Sequence, residues 1–85
     1  MLTTVNEEWI VDLGAMTCQN ANNNIIVGIE KMGKDFIGKV KDMPIELFAE
    51  LAKKPDGERF IMDAVFKAEE AFLNAYIEEE LERRR

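Results

Sequence analysis

The feature that most constrains this chain is a long segment of helical periodicity near its C-terminus that carries two separate apolar stripes. The first stripe comprises Ile61, Val65, Ala68, Phe72 and Ala75, and it is widened by Phe60, Ala64 and Ala71. The second stripe comprises Met62, Phe66, Leu73 and Ile77. A helix from Asp56 to Leu81 has a length of about 39 Å, whereas a compact domain of this size has a diameter of roughly 30 Å. The pattern therefore predicts that one stripe meets a partner surface.

The small size of the chain points the same way. With 85 residues it is predicted to form one domain, 1–85, with a thin margin of stability. Small domains commonly gain stability from disulfides, metals or oligomerisation. Cys18 is the only cysteine and there is no histidine, so neither a disulfide nor a typical metal site is expected. Oligomerisation remains, and no cofactor is predicted.

Charge and targeting signals narrow the expected location and partners. The N-terminal residues lack the basic start and apolar stretch of a signal peptide, and no apolar run approaches the roughly 18 residues of a membrane span. With one free thiol, a cytoplasmic location without membrane association is the expectation. A net charge of −6 repels a phosphate backbone, which disfavours general nucleic-acid binding.

The first half of the chain is predicted to form a three-stranded antiparallel meander over 9–41. Alternating apolar residues predict strands at 9–18, 25–31 and 35–41, and residues 1–8 are predicted to be an N-terminal arm. The asparagine-rich segment 19–24 has the composition of a polar loop, because asparagine tolerates left-handed backbone angles. Gly33 is predicted to supply a positive φ in the turn between the last two strands.

The second half is predicted to form two helices. Pro44 suits the first turn of a helix over 44–54, which is expected to bury Ile45, Phe48 and Ala52 with Leu47 and Leu51 beside them. The segment Pro55-Asp56-Gly57 ends it, and Asp56 begins the long helix over 56–83. The order β-β-β-α-α predicts an α+β domain with both helices on one face of the sheet.

The opposite face of that sheet is predicted to be of mixed character. If Trp9, Val11, Ile25, Val27 and Phe36 point toward the helices, the residues left on the other face are Ile10, Met16, Ile26 and Ile37 among Asp12, Glu30, Lys39 and Lys41. Such a mixture is typical either of a sheet that pairs with a second sheet or of a binding face.

Catalytic chemistry has little support in the sequence. A nucleophilic cysteine needs a base such as histidine to form the thiolate, and Cys18 has none available. Adjacent glutamates such as Glu69 and Glu70 point in different directions on a helix and are typical of a solvated surface. The chain is therefore predicted not to be an enzyme.

Four lysines form the one candidate site for an anion. Lys31, Lys34, Lys39 and Lys41 lie close together in the sequence, with only Asp35 as an opposing charge. On a sheet face, beside Phe36 or Trp9, they resemble the combination used for single-stranded nucleic acid. Lysines on an edge strand also block sheet aggregation, which is the alternative explanation.

The leading hypothesis is a homodimeric, non-enzymatic interaction module. Its interface is predicted to include Met62, Phe66, Leu73 and Ile77 while the first stripe packs on the chain's own sheet, or the reverse. A two-fold dimer is the commonest closed arrangement. Binding of another protein to the same helix, and binding of a nucleic acid or anionic ligand through the lysines, are the alternatives.

Overall fold

The computed structural model describes the backbone of residues 3–6 and 8–84 and the side chains of residues 8–84. Within these ranges an antiparallel sheet is followed by two helices, the second of them long, which confirms the predicted α+β class. The strands are β1 (Thr3–Asn6), β2 (Trp9–Asp12), β3 (Thr17–Asn20), β4 (Ile26–Met32) and β5 (Asp35–Asp42). The helices are α1 (Ile45–Lys53) and α2 (Gly57–Arg83). The prediction of three strands is wrong, since the described part of the chain contains five.

The first predicted strand, 9–18, is in fact a hairpin. Residues 13–16 reverse the chain between β2 and β3, so that Val11 lies beside Cys18 in the register. The Asp12 carboxylate accepts a hydrogen bond from the Ala15 backbone N–H at 3.0 Å, and Met16 has a φ of 56°. The alternation of apolar residues continues through the turn and conceals it in the sequence, although Asp12 and Gly14 are both residue types that favour turns.

Strand β3 extends into the segment predicted as an asparagine loop. Asn20 closes the strand with a side chain that is 3% exposed, and its side-chain oxygen accepts hydrogen bonds from the N–H groups of Asn22 and Asn23 at 2.8 and 3.0 Å. Asn24 has a φ of 61°. The predicted turn chemistry is therefore confirmed, but it begins at Asn20 and not at Gln19.

The N-terminal segment predicted as an arm contains β1, which pairs with β2. Residues 1, 2 and 7 of that predicted arm lie outside the described residues.

All five strands follow one another in space in the order β1-β2-β3-β4-β5, each antiparallel to the next. Gly33 has a φ of 64° in the β4–β5 turn, as predicted. Strand β5 is at the edge of the sheet, and α2 lies against it. The Glu69 carboxylate accepts a hydrogen bond from the Gly38 N–H of β5 at 2.6 Å. This bond occupies a backbone donor that an incoming strand would otherwise use.

The core lies between the sheet and one face of α2. The sheet contributes Trp9, Val11, Cys18, Ile25, Val27 and Ile29, and the helix contributes Ala64, Ala68, Ala71, Phe72 and Ala75. Four of the five helix residues are alanines, so the helix backbone comes close to the sheet. The Cys18 thiol consequently reaches the Ala68 carbonyl at 3.4 Å. The inward orientation predicted for Trp9, Val11, Ile25 and Val27 is confirmed.

The orientation predicted for α1 is wrong. Leu51 is the buried residue of this helix and Leu47 packs against the core, whereas Ile45 is 80% and Phe48 59% exposed. Ala52 is exposed as well. The sequence offers two apolar faces on α1, and helical spacing alone does not select between them. The contact of α1 with α2 at the short α1–α2 connection turns the face that carries Leu47 and Leu51 toward the core.

Gly57 is required where α1 meets α2. A Cβ atom placed on this first residue of α2 would overlap the Leu51 carbonyl. We expect Gly57→Ala to destabilise the protein by about 1–3 kcal/mol, because over-packing outweighs the gain of up to about 1 kcal/mol in helix propensity. Urea unfolding measures the change, with Glu58→Ala at the neighbouring exposed position as control. A Gly57→Ala protein as stable as the original would contradict the close approach of the helices.

Candidate protein–protein interface

The second apolar stripe of α2 lies on the surface. Met62 is 58%, Phe66 61%, Leu73 42% and Ile77 46% exposed, and Leu81 continues the stripe at 58%. Side chains of this size and exposure along one helix form an apolar stripe, which the exposed Glu70 interrupts between Phe66 and Leu73. Such a stripe is uncommon on a monomeric protein. We call Met62, Phe66, Leu73, Ile77 and Leu81 the outer face of α2.

The outer face points away from the sheet. At about 100° per residue, the mean direction of Met62, Phe66, Leu73 and Ile77 differs by roughly 170° from that of the buried alanines and Phe72. Side chains on opposite sides of one helix cannot pack against the same sheet. The chain therefore cannot cover this stripe with its own core.

The whole molecule exposes more surface than a folded monomer of its mass. Its accessible surface is 6212 Å² for 9.8 kDa, whereas size scaling gives about 5,200 Å². The excess of about 1,000 Å² resembles the roughly 800 Å² that each partner buries in a standard interface. The shape explains part of the excess, because the Cα atoms extend over 49 × 25 × 18 Å along the principal axes.

A second group of exposed apolar residues lies on α1 and at the start of α2. Ile45, Phe48 and Phe60 are exposed, and none of them was expected on the surface. Leu81 was also missed as an interface residue, although its spacing of four from Ile77 continues the stripe and would have revealed it.

The outer face of the sheet has a different character. It carries Lys39 and Lys41, which are exposed, with the half-buried Ile10 and Ile26 and with Ile37 at 40% exposure. Met16, which was expected there, lies instead in the β2–β3 turn and packs against the core. An open hollow of about 350 Å³ includes Lys39, Lys41 and Glu30 in its lining.

The four candidate lysines are not brought together. Lys39 and Lys41 share the outer sheet face, Lys34 lies in the β4–β5 turn, and Lys31 lines a cavity on the helix side. Trp9 is buried beneath α2, and the ring of Phe36 packs edge-on against Phe72 with centroids 5.2 Å apart. Neither aromatic ring accompanies Lys39 and Lys41, so the stacking expected for single-stranded nucleic acid has no support there.

A cavity of about 340 Å³ lies between the C-terminal half of α2 and the turns of the sheet. Its apolar lining consists of Leu13, Met16, Phe36, Phe72 and Tyr76, and its charged lining consists of Lys31, Glu79, Glu80 and Arg83. Arg83 contacts Glu79 at 3.9 Å and Glu80 at 3.7 Å. With two cations balanced by two anions, the cavity does not favour a ligand of either charge.

Cys18 is a buried thiol in β3, facing α2. Burial raises the pKa of its thiol from 9.0 to about 12, and the thiol is 0% exposed. Nucleophilic chemistry requires the thiolate, which this environment disfavours.

We expect Cys18 to be unreactive in the folded protein. At pH 8 a thiol reagent should modify Cys18 in the folded protein no faster than the protein unfolds. The same reagent should modify Cys18 immediately when the protein is unfolded in urea. Because the pKa of Cys18 is higher in the folded state, the unfolded state loses its proton first, so stability should fall as the pH rises from 9 toward 12. Rapid modification of the native protein would contradict this burial.

Among residues 3–6 and 8–84, no group of three or more Cys, Asp or Glu side chains is placed to hold a metal ion. No helix in the same ranges has the length and apolar character needed to cross a membrane. Comparison of the chain with protein-family models, curated proteins and solved structures finds no match.

Proposed function

We propose that this chain is a non-enzymatic interaction module that acts as a homodimer through the outer face of α2. The observation that carries the proposal is the stripe of large apolar side chains on the side of α2 opposite its buried face. Its partner must supply apolar surface from outside the chain. A second copy supplies the same face, and two-fold pairing closes after two protomers.

The edge of β5 supports association through the helix in preference to association through the sheet. Glu69 already accepts the hydrogen bond of the Gly38 N–H, and α2 lies against this edge. Pairing with another strand at β5 would break that bond. The outer face of α2 needs no such rearrangement before a second copy docks on it.

We further propose a cytoplasmic location. The support is the single cysteine, held in the core as a free thiol, since disulfides that staple small domains belong to oxidising compartments.

Light scattering over a concentration series tests the proposed dimer. The expected mass is about twice the 9.8 kDa of the chain, decreasing toward the monomer mass on dilution. A mass of 9.8 kDa at every concentration up to the millimolar range would overturn the proposal, because the outer face of α2 would then have no second copy on it.

A further inference from the structure

From the charges that flank the outer face of α2, we infer that the two copies of α2 pair antiparallel, with Met62 against the partner's Ile77 and Phe66 against the partner's Leu73. This inference rests on the proposed homodimer and adds the direction and register of its helices.

Arg84 and, near the middle of the stripe, Glu69 and Glu70 lie on the same side of α2 as the stripe, and Glu80 contacts Arg83 of its own chain at 3.7 Å. The two charged residues that flank the stripe are Arg59 near its start and Glu80 near its end. At about 100° per residue, both lie within roughly 30° of the mean direction of the stripe. The register that pairs Met62 with Ile77 and Phe66 with Leu73 also brings Arg59 beside the partner's Glu80. By symmetry this ion pair occurs twice in the dimer, once at each end.

A parallel arrangement has the opposite consequence. Each residue would then face its own copy, so Arg59 would lie against Arg59, Glu80 against Glu80 and Arg84 against Arg84. Like charges at an interface disfavour an arrangement by several kcal/mol. Antiparallel pairing also aligns the positive end of each helix dipole with the negative end of the other. The charges at the ends of the stripe therefore select the antiparallel dimer, whereas Glu69 and Glu70 near the middle meet glutamates of the partner in both directions and do not distinguish them.

The surface beside the N-terminal part of the stripe accommodates the other end of the partner helix. An open hollow of about 730 Å³ lies along α2 and is lined by Pro55, Asp56, Glu58, Arg59, Met62, Asp63 and Phe66. In the antiparallel register, the partner's Leu81 lies opposite Glu58 and its Arg84 opposite Pro55. The partner's Leu81 and Arg84 thus approach a hollow whose lining includes Met62 and Phe66. The three carboxylates of this lining belong to Asp56, Glu58 and Asp63.

The paired length is sufficient for a specific contact. From Arg59 to Glu80 the helices run alongside each other for about 32 Å, which is about three heptads. Helices packed at their usual axial separation of about 8–10 Å bring facing Cα atoms within the range of a disulfide. Engineered cysteines therefore report the register directly.

Three variants in the natural Cys18 background test the inference: Met62→Cys, Ile77→Cys and the double variant Met62→Cys/Ile77→Cys. In the antiparallel dimer Met62 lies about 22 Å along the axis from the partner's Met62, and the same holds for Ile77. Under mild oxidation we expect the double variant to become a covalent dimer nearly completely. Each single variant should cross-link no faster than the wild type, whose only thiol is the buried Cys18. Disulfides within one chain are excluded, since Met62 and Ile77 are about 22 Å apart on one helix.

The outcomes separate the register from the dimer itself. Rapid cross-linking of Met62→Cys alone would show a parallel pairing and overturn the inference. A double variant that has the dimer mass by light scattering but forms no disulfide would overturn the register while the proposed dimer stands. A monomer mass for the wild type and all three variants would overturn both.

Discussion

Replacing Phe66 and Leu73 with glutamate should convert the dimer into a folded monomer. Both side chains lie on the outer face of α2, with exposures of 61% and 42% in the isolated chain. In the dimer the double variant places four carboxylates in an apolar contact. Truncation of an interface hot spot raises the free energy of association by about 2 kcal/mol or more. With two changed positions in each protomer, the dissociation constant should rise by at least about a thousandfold.

The fold of the Phe66→Glu/Leu73→Glu protein should remain intact, because exposed substitutions away from special features usually change the free energy of unfolding by about 0.5 kcal/mol or less. The measurements are the mass by light scattering and the circular dichroism spectrum at one concentration. A matched control is Ala49→Glu/Asn74→Glu, which adds the same charge at exposed helix positions outside the outer face. If the control dissociated and the Phe66→Glu/Leu73→Glu protein did not, the interface would lie elsewhere.

Phe72→Ala should have the largest effect on stability. Phe72 is 2% exposed at the centre of the core, and its ring contacts Phe36 edge-on at a centroid distance of 5.2 Å. Removing a buried phenylalanine ring destabilises a protein by about 3–5 kcal/mol. For 85 residues the total free energy of unfolding is of the order of 4–13 kcal/mol, so a large part of it is lost. The melting temperature should fall by about 12 °C or more.

The control for Phe72→Ala is Phe48→Ala, which removes the same ring from a position that is 59% exposed on α1. Its effect on the free energy of unfolding should be about 0.5 kcal/mol or less. Thermal unfolding at equal protein concentrations measures both changes. A Phe48→Ala protein destabilised as strongly as Phe72→Ala would mean that α1 buries Phe48, contrary to the structure.

Helical periodicity made the long helix and its two stripes predictable. Which stripe faces the core was left open by the sequence; in the structure Ala68, Phe72 and Ala75 are buried, whereas Met62 and Phe66 are exposed. The pattern can be recognised in the sequence because it persists over several helical turns and includes both small and large apolar residues. Small residues allow α2 to approach the sheet closely, and the large residues on the far side are 42–61% exposed.

The sheet was less predictable because its turns are short and partly apolar. Leu13 and Met16 are the first and last residues of the β2–β3 turn and pack against the core, so they continue the alternation of a strand across a reversal of the chain. The Asp12 side chain and the positive φ of Met16 define that turn locally. Strand β1 carries only Thr3, Thr4, Val5 and Asn6, and such a short polar segment becomes a strand through its pairing with β2.

The orientation of α1 depended on a tertiary contact that the sequence does not encode locally. Both Phe48 and Leu51 occur at helical spacing within apolar patterns, and either could face the core. The close approach of Gly57 to the Leu51 carbonyl determines how α1 turns relative to α2. The lysines illustrate the same limit, since Lys31 and Lys39 are near in sequence but lie on opposite faces of the sheet.

The most direct test of the proposed interface uses the unmodified protein. An equimolar mixture of carbon-13-labelled and unlabelled chains, unfolded and refolded together, contains mixed dimers in which isotope-filtered NOEs report only contacts between chains. We predict such contacts from the methyl groups of Met62, Leu73 and Ile77. Contacts between chains restricted to Ile10, Ile26 and Ile37 would place the interface on the sheet and contradict the proposed role of α2.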